Sequence, residues 1–225
     1  MISFRDVSVS YDQRDVLHDI TLELTESRIG IIGANGGGKS TLIRLINGLG
    51  SPTSGTVLVD GLDVSTDGRA VRRNVGFVFS DAENQIVMPT VAEDVEFSLR
   101  RLKLPKAERS ARVDQMLERF DLAGHRDDSP HTLSGGQKQL LALAAVLIME
   151  PSIVIADEPT TLLDLKNRMK IKAEFAKLPQ QLIVVTHDLD FVADFDRVLC
   201  LDGGTIVADG QPHEVIATYE QLMAE

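Results

Sequence analysis

Gly33-Ala34-Asn35-Gly36-Gly37-Gly38-Lys39-Ser40-Thr41 follows the apolar run Ile29-Gly30-Ile31-Ile32 and leads into a stretch with Leu42, Leu45 and Ile46 on one helical face. A short continuous apolar run predicts a strand buried on both faces. Strand, glycine-rich turn and helix start are the context that G-x-x-x-x-G-K-[ST] requires. In such a loop the glycines Gly33, Gly36, Gly37 and Gly38, with Asn35 and Thr41, let backbone N–H groups surround phosphate oxygens at the positive end of the helix. Lys39 would neutralise the β- and γ-phosphates, and the Ser40 hydroxyl would take a coordination position on Mg²⁺. A glycine-rich turn without a ligand gives no reason for Lys and Ser at these offsets.

Outward from this loop the chain alternates between strand and helix signals. Ile2, Phe4, Val7, Val9 and Tyr11 alternate as a half-buried strand, and Ile20, Leu22 and Leu24 form a second run fit to pair with it antiparallel. Gly48 to Gly55 reads as a loop, with strands at Thr56–Val59 and Val75–Phe79. From Ser80 to about Met149 the pattern is helical, with Val113, Met116, Leu117 and Phe120 on one face behind Pro105. Strands return at Ile153–Ile155 and Leu182–Val185, separated by a helical stretch near Lys166–Lys177. Val215, Ile216, Tyr219, Leu222 and Met223 form one stripe of a closing helix from Pro212. The pattern is that of a parallel α/β core interrupted by a helical insertion. No repeat or linker divides the 225 residues, so one domain is expected.

Composition narrows the function classes. A net charge of −11, from 23 basic and 34 acidic residues, argues against general nucleic-acid binding, which needs a basic footprint. Cys200 is the sole cysteine, so no internal disulfide can form, and its run Val198-Leu199-Cys200-Leu201 suits a small core residue in a reducing compartment. The N-terminus does not read as a signal peptide. The longest apolar stretch, Leu140 to Met149, is about half of the ~20 residues of a membrane span. The expectation is a cytoplasmic protein, or one held on a membrane by partners.

A second acidic element completes the phosphate chemistry. Ile153-Val154-Ile155-Ala156 ends in Asp157-Glu158-Pro159. Asp157 at the strand end can hold Mg²⁺, and Glu158 one residue on can face the γ-phosphate and polarise a water as general base. Leu133-Ser134-Gly135-Gly136-Gln137 stands at a helix start between the two motifs, and its Ser134 hydroxyl and Gly136 amide could reach a γ-phosphate. With these residues the chain resembles the ATP-binding-cassette (ABC) ATPases over essentially its whole length. The resemblance implies a P-loop NTPase with a RecA-like parallel-sheet core, an N-terminal antiparallel β subdomain and an inserted helical subdomain at about residues 80–150. It also implies Mg²⁺-dependent ATP hydrolysis. Tyr11 matches the aromatic that stacks on adenine, with a plain strand-surface tyrosine as the competing reading. Asp164 matches the aspartate of the loop that crosses between subunits, and His187 the histidine that contacts the γ-phosphate. His18, His125, His131 and His213 have no such placement and are expected to be surface or structural residues. Where transport members carry a glutamine that contacts Mg²⁺, this chain has Ser80, and the nearest glutamine is Gln85. Either residue could take that role.

The family sandwiches ATP between two subunits, so each site would join the Lys39 loop of one chain to the Ser134 loop of its partner. A homodimer with two complete sites is the expectation. Soluble ABC ATPases of DNA repair or translation are the runner-up, but no heptad run or zinc cysteines interrupt this chain. The stretch Ser80–Val91 with Glu93-Asp94-Val95 resembles the energy-coupling-factor (ECF) importers of vitamins, cobalt or nickel, and most of all the ATPase of tripartite biotin importers. A conventional importer or exporter ATPase is the alternative. The resemblance implies a transmembrane coupling protein and a substrate-binding membrane protein as partners, and a peripheral place on the cytoplasmic face of the membrane. The apolar stretch Ile86-Val87-Met88-Pro89 is read two ways: packed into the helical subdomain, or presented to the coupling protein.

Overall fold

Phe4 and Val7 are both buried although they are three positions apart, which breaks strand alternation. The computed structural model, which describes residues 1–12, 14–161 and 163–224, accommodates this with a bulge. β1 (Ile2–Tyr11) pairs antiparallel with β2 (Arg14–Leu24) in the register Ile2↔Leu24 and Phe4↔Leu22, then shifts and resumes at Val7↔Ile20. Asp6 takes φ 50° at the irregularity. The chain continues through β3 (Arg28–Gly33), α1 (Lys39–Ile46), β4 (Ser54–Val59), β5 (Leu62–Asp63), α2 (Val64–Asn74) and β6 (Val75–Val78). The helical segment follows, as α3 (Val91–Phe97), α4 (Lys106–Arg119) and α5 (Gly135–Leu147) with short 3-10 turns between them. Then come β7 (Ile153–Asp157), α6 (Leu165–Ala176), β8 (Gln181–Val185), α7 (Leu189–Val192), β9 (Arg197–Asp202), β10 (Thr205–Gly210) and α8 (Pro212–Ala224).

Two sheets result: an antiparallel one ordered β2-β1-β4-β5, and a six-stranded one ordered β10-β9-β3-β8-β7-β6. In the second sheet only the β9–β10 pair is antiparallel. Its central strands are buried on both faces, which is why they read as unbroken apolar runs. Ile153, Ile155, Ile183 and Val185 face the layer shared with α1 and the antiparallel sheet, whereas Val154, Ala156, Leu182 and Val184 face the helical segment. Parallel registry sets Ile31 and Asp157 both opposite Val185. The glycine-rich loop after β3, the acids closing β7 and the residues after β8 thus share one sheet edge, the carboxyl end where α/β sheets bind ligands.

The sequence reading assigns no helix to residues 64–74, yet α2 forms there. Its buried positions are Val64, Gly68 and Val71 alone, a stripe with one apolar residue replaced by glycine, so periodicity is faint. Asp63 starts it by accepting from the Ser65 N–H. Among the described residues no helix is long and apolar enough to cross a membrane.

Candidate functional site

The loop from Gly33 to Lys39 is built by backbone proximity that leaves no room for side chains. A Cβ on Gly33 would lie 1.9 Å from the Leu201 carbonyl oxygen, at φ 144°. The loop therefore lies directly on β9. Lys39 begins α1, and its Nζ donates to the Gly33 and Ala34 carbonyls at 2.8 and 2.9 Å, closing the loop into a ring. Burial holds the Lys39 ammonium below its usual pKa, against the pull of Glu158 and Asp157.

Asp157 and Glu158 complete the floor. The Ser40 hydroxyl donates to Asp157 Oδ1 at 3.0 Å, while Arg44 lies 3.8 Å from Oδ2. Desolvation raises the Asp157 pKa, opposed by the Ser40 hydrogen bond and the charges of Arg44 and Lys39. A hydroxyl and one carboxylate are hard oxygen donors that suit Mg²⁺, which keeps waters and substrate phosphates for its other positions. Among the described residues no group of three or more His, Cys, Asp or Glu side chains could hold a metal by itself.

Glu158 sits at φ 51°, a left-handed backbone unusual for a side chain of this size. Its N–H donates to the Val185 carbonyl at 2.8 Å, which ties the turn to β8. One carboxylate oxygen, Oε2, accepts from the His187 backbone N–H at 3.2 Å and the Thr161 hydroxyl at 3.4 Å. The other, Oε1, is 3.1 Å from His187 Nε2 but has no properly directed hydrogen bond and is buried. Desolvation pushes the Glu158 pKa up, and the neighbouring His187 and Lys39 pull against it. A basic oxygen without a donor, beside an imidazole, is placed to receive a proton.

Lys39, Ser40, Glu158 and His187 line one cleft of about 480 Å³ together with Tyr11, Asn35, Gly36–Gly38 and Thr41, and the buried Asp157 reaches it only through the Ser40 hydroxyl. Tyr11 is 52% exposed at its rim, an open ring face on which a flat base could stack. Ser134–Gln137 lies outside the cleft. Ser134 is the N-cap of α5, and Gln137 returns a bond to the Ser134 N–H at 2.9 Å, a reciprocal capping box. His125 braces it: Nε2 meets Gln137 Nε2 at 3.0 Å and Nδ1 meets Asp128 Oδ2 at 2.8 Å. Its distance in sequence from the motif hid this role. Asp164 is likewise an N-cap, accepting from the Asn167 N–H at 2.8 Å at the start of α6.

Ser80 and Gln85 also lie outside the cleft lining. The Gln85 carboxamide accepts from the Phe79 N–H at 3.1 Å and donates to the Ala142 carbonyl at 3.0 Å, so both its ends tie the helical segment to β6. Ser80 is exposed. The stretch Ile86–Pro89 divides: Ile86 packs against the helical core, while Val87 is 63% exposed. The buried Asp94 carboxylate holds its backbone, accepting from the Val87 and Met88 N–H groups at 2.8 and 3.0 Å.

The family model described as ABC transporter matches residues 17–161. A Deinococcus radiodurans relative named only for the ABC transporter family is 53% identical over 223 residues, 99% of both chains. The biotin transport ATP-binding protein BioM of Rhizobium etli is 46% identical over 223 residues, again 99% of both chains. Among solved structures, cbiO1 of Clostridium perfringens, described as part of the ABC transporter complex cbiONQ, superposes with a TM-score of 0.86 at 33% identity, covering 99% of this chain and 93% of that one.

Proposed function

The chain belongs to the ABC transporter family as its ATP-binding, ATP-hydrolysing subunit, and from that premise we propose that it energises an ECF-type importer, with biotin as the favoured cargo. Residues 1–225 form one nucleotide-binding domain, with residues 80–150 as its helical subdomain. The observation that carries the catalytic reading is the convergence of Lys39, Ser40, Glu158 and His187 on one cleft, with Asp157 accepting from the Ser40 hydroxyl behind it.

ATP stacks its base on Tyr11 and lays its phosphates in the Gly33–Thr41 loop. Lys39 exchanges its loop carbonyls for the β- and γ-phosphate oxygens, which offsets their charge in a partly desolvated site. Bound Mg²⁺, held by Ser40 and Asp157, supplies further neutralisation of the phosphate oxygens. Glu158 Oε1 accepts a proton from a water as that water's oxygen attacks the γ-phosphorus in line. The bond to the β-γ bridging oxygen breaks, leaving ADP and phosphate. His187 orients the γ-phosphate and the water.

Ser134–Gln137 lies outside its own chain's cleft, so a second copy supports completion of the site. Its Ser134 helix start would close over the γ-phosphate, with Asp164 at the crossing. The resemblance to BioM favours a biotin importer, and to cbiO1 a multi-subunit assembly with a coupling protein and a substrate-binding protein in the membrane. The chain then sits on the cytoplasmic face as a peripheral subunit. Affinity purification from membranes tests this: two integral membrane proteins should co-purify, and cells lacking the chain should lose biotin uptake. Purification with soluble partners only, or unaltered biotin uptake, overturns it.

A further inference from the structure

Asp188 directly follows His187, and its side chain is only 9% exposed between two cations of α6. Arg168 Nη2 donates to its Oδ2 at 2.6 Å, and Lys172 Nζ lies 3.7 Å from Oδ1. Below them Phe175 meets Phe191 edge-on at 5.9 Å, and Lys172 also stands 5.4 Å from the Phe191 ring. Positions 168, 172 and 175 are spaced i, i+4 and i+7, one face of α6 turned entirely toward the segment after β8. The catalytic cleft uses none of these residues.

The other end of the same helix abuts the Ser134 loop. A Cβ on Gly136 would lie 2.3 Å from the Asn167 carboxamide, so the α5 and α6 starts are in direct contact. The Arg168 N–H donates to the Asp164 carbonyl at 2.9 Å within the first turn of α6. A contiguous line therefore runs from Gly136 through Asn167 and Arg168 to Asp188. From there it passes to His187, whose backbone N–H holds Glu158 Oε2.

We infer that Asp188 is a positioning residue: hooked by Arg168 and Lys172, it fixes the His187 turn to α6, so that the Glu158–His187 pair is aligned by the helix that carries Asp164 and abuts the chain's own Ser134 loop. The inference rests on the reading of Glu158 and His187 as the hydrolytic pair. A charge-assisted hydrogen bond this short, with its carboxylate nearly buried, is stronger than a neutral one and holds its geometry. Its loss would leave ATP binding by the Lys39 loop untouched and misplace the groups acting on the water. Misplacement of that kind costs up to about a hundredfold in rate.

The test measures ATP turnover, affinity for a fluorescent ATP analogue and melting temperature for Asp188→Asn, Arg168→Gln and the double variant Arg168→Gln/Lys172→Gln. Asp188→Asn should lower kcat about ten- to a hundredfold with KM and analogue affinity within about twofold. Arg168→Gln alone should lose less, because Lys172 remains. The double variant should reproduce Asp188→Asn, and Asp188→Glu should recover part of the rate. Turnover of Asp188→Asn at the wild-type rate overturns the hook. So does a loss that appears equally in affinity and melting temperature, since that marks general destabilisation. If Asp188→Asn does not fold, the double variant carries the same comparison. Failure of the hydrolytic reading is separately visible: Glu158→Gln would then turn over normally, whatever Asp188 does.

Discussion

Glu158 occupies a place a stability-optimised protein would avoid. It combines a left-handed backbone, a buried oxygen without a hydrogen-bond donor, and a second carboxylate one residue away. Such strain concentrates at functional sites. A carboxyl whose folded pKa stands above its unfolded value favours folding in acid and opposes it once pH rises through the folded value. Burial raises Glu158 in this way. Glu158→Gln should therefore melt above the wild type at neutral pH, and the gap should close as the buffer is acidified toward the ordinary glutamate range. Calorimetry at several pH values reads this directly, and a gap that widens in acid would show that the carboxylate stabilises the fold. The same variant should keep ATP binding and lose hydrolysis by about 10²–10⁴-fold, the usual worth of a general base. Lys39→Ala fails differently. It removes the charge proposed to face the phosphates, so both ATP affinity and turnover should collapse, which equilibrium binding and phosphate release measure separately.

The elements that hold the site were legible wherever burial on both faces or strict alternation wrote them into the chain. The runs ending at Gly33 and Asp157, the paired strands β1 and β2, and helices α1 and α6 are all expected from pattern. The structure adds what pattern cannot carry. α2 hides because arginines and a glycine dilute its stripe. The Asp188 hook and the His125 brace join residues 20 and 12 positions apart, across turns whose geometry no periodicity encodes. The Ser80–Gln85 loop illustrates the opposite difficulty. A glutamine near the expected position invites a catalytic reading, yet its amide ties β6 to α5. At the start of α5 one residue has two duties. Ser134 caps the helix, and in the proposed dimer its hydroxyl serves the partner's γ-phosphate. Ser134→Ala should cost about 1 kcal/mol of stability through the lost cap. It should leave monomer ATP affinity unchanged and strongly reduce turnover. An equal fall in monomer affinity would place Ser134 in its own chain's site instead.

At the scale of the whole molecule, the Ser134 loop lies outside the cleft lined by Lys39 and Glu158, so in the proposed dimer hydrolysis is a property of the assembly. Glu158→Gln with ATP and Mg²⁺ should move from monomer to dimer in light scattering, and persistent monomer at high protein concentration would count against the homodimeric sandwich. In the Ile86–Pro89 stretch, packing into the helical segment and presentation to a membrane partner compete. Ile86 is packed against the helical core, whereas Val87 points outward at 63% exposure and lines a groove of about 560 Å³ with Phe97 and Leu102. Arg69, Arg72, Arg73 and Arg101 also line that groove, opposite the buried Asp94. An outward valine alone is ordinary, but with the exposed Phe97 and Leu102 it gives this groove an apolar lining that a partner could cover. The two neighbours therefore separate the alternatives. Val87→Asp replaces an exposed group, and exposed substitutions shift stability by only about 0.5 kcal/mol, so its melting temperature should hold. Ile86→Asp sets a charge against the helical core, where Ile86 is half-buried, and should melt below the wild type. If the groove receives the coupling protein, Val87→Asp should fold normally and fail to co-purify with membrane partners. Full recovery of those partners by a normally folded Val87→Asp chain would remove this loop from the interface.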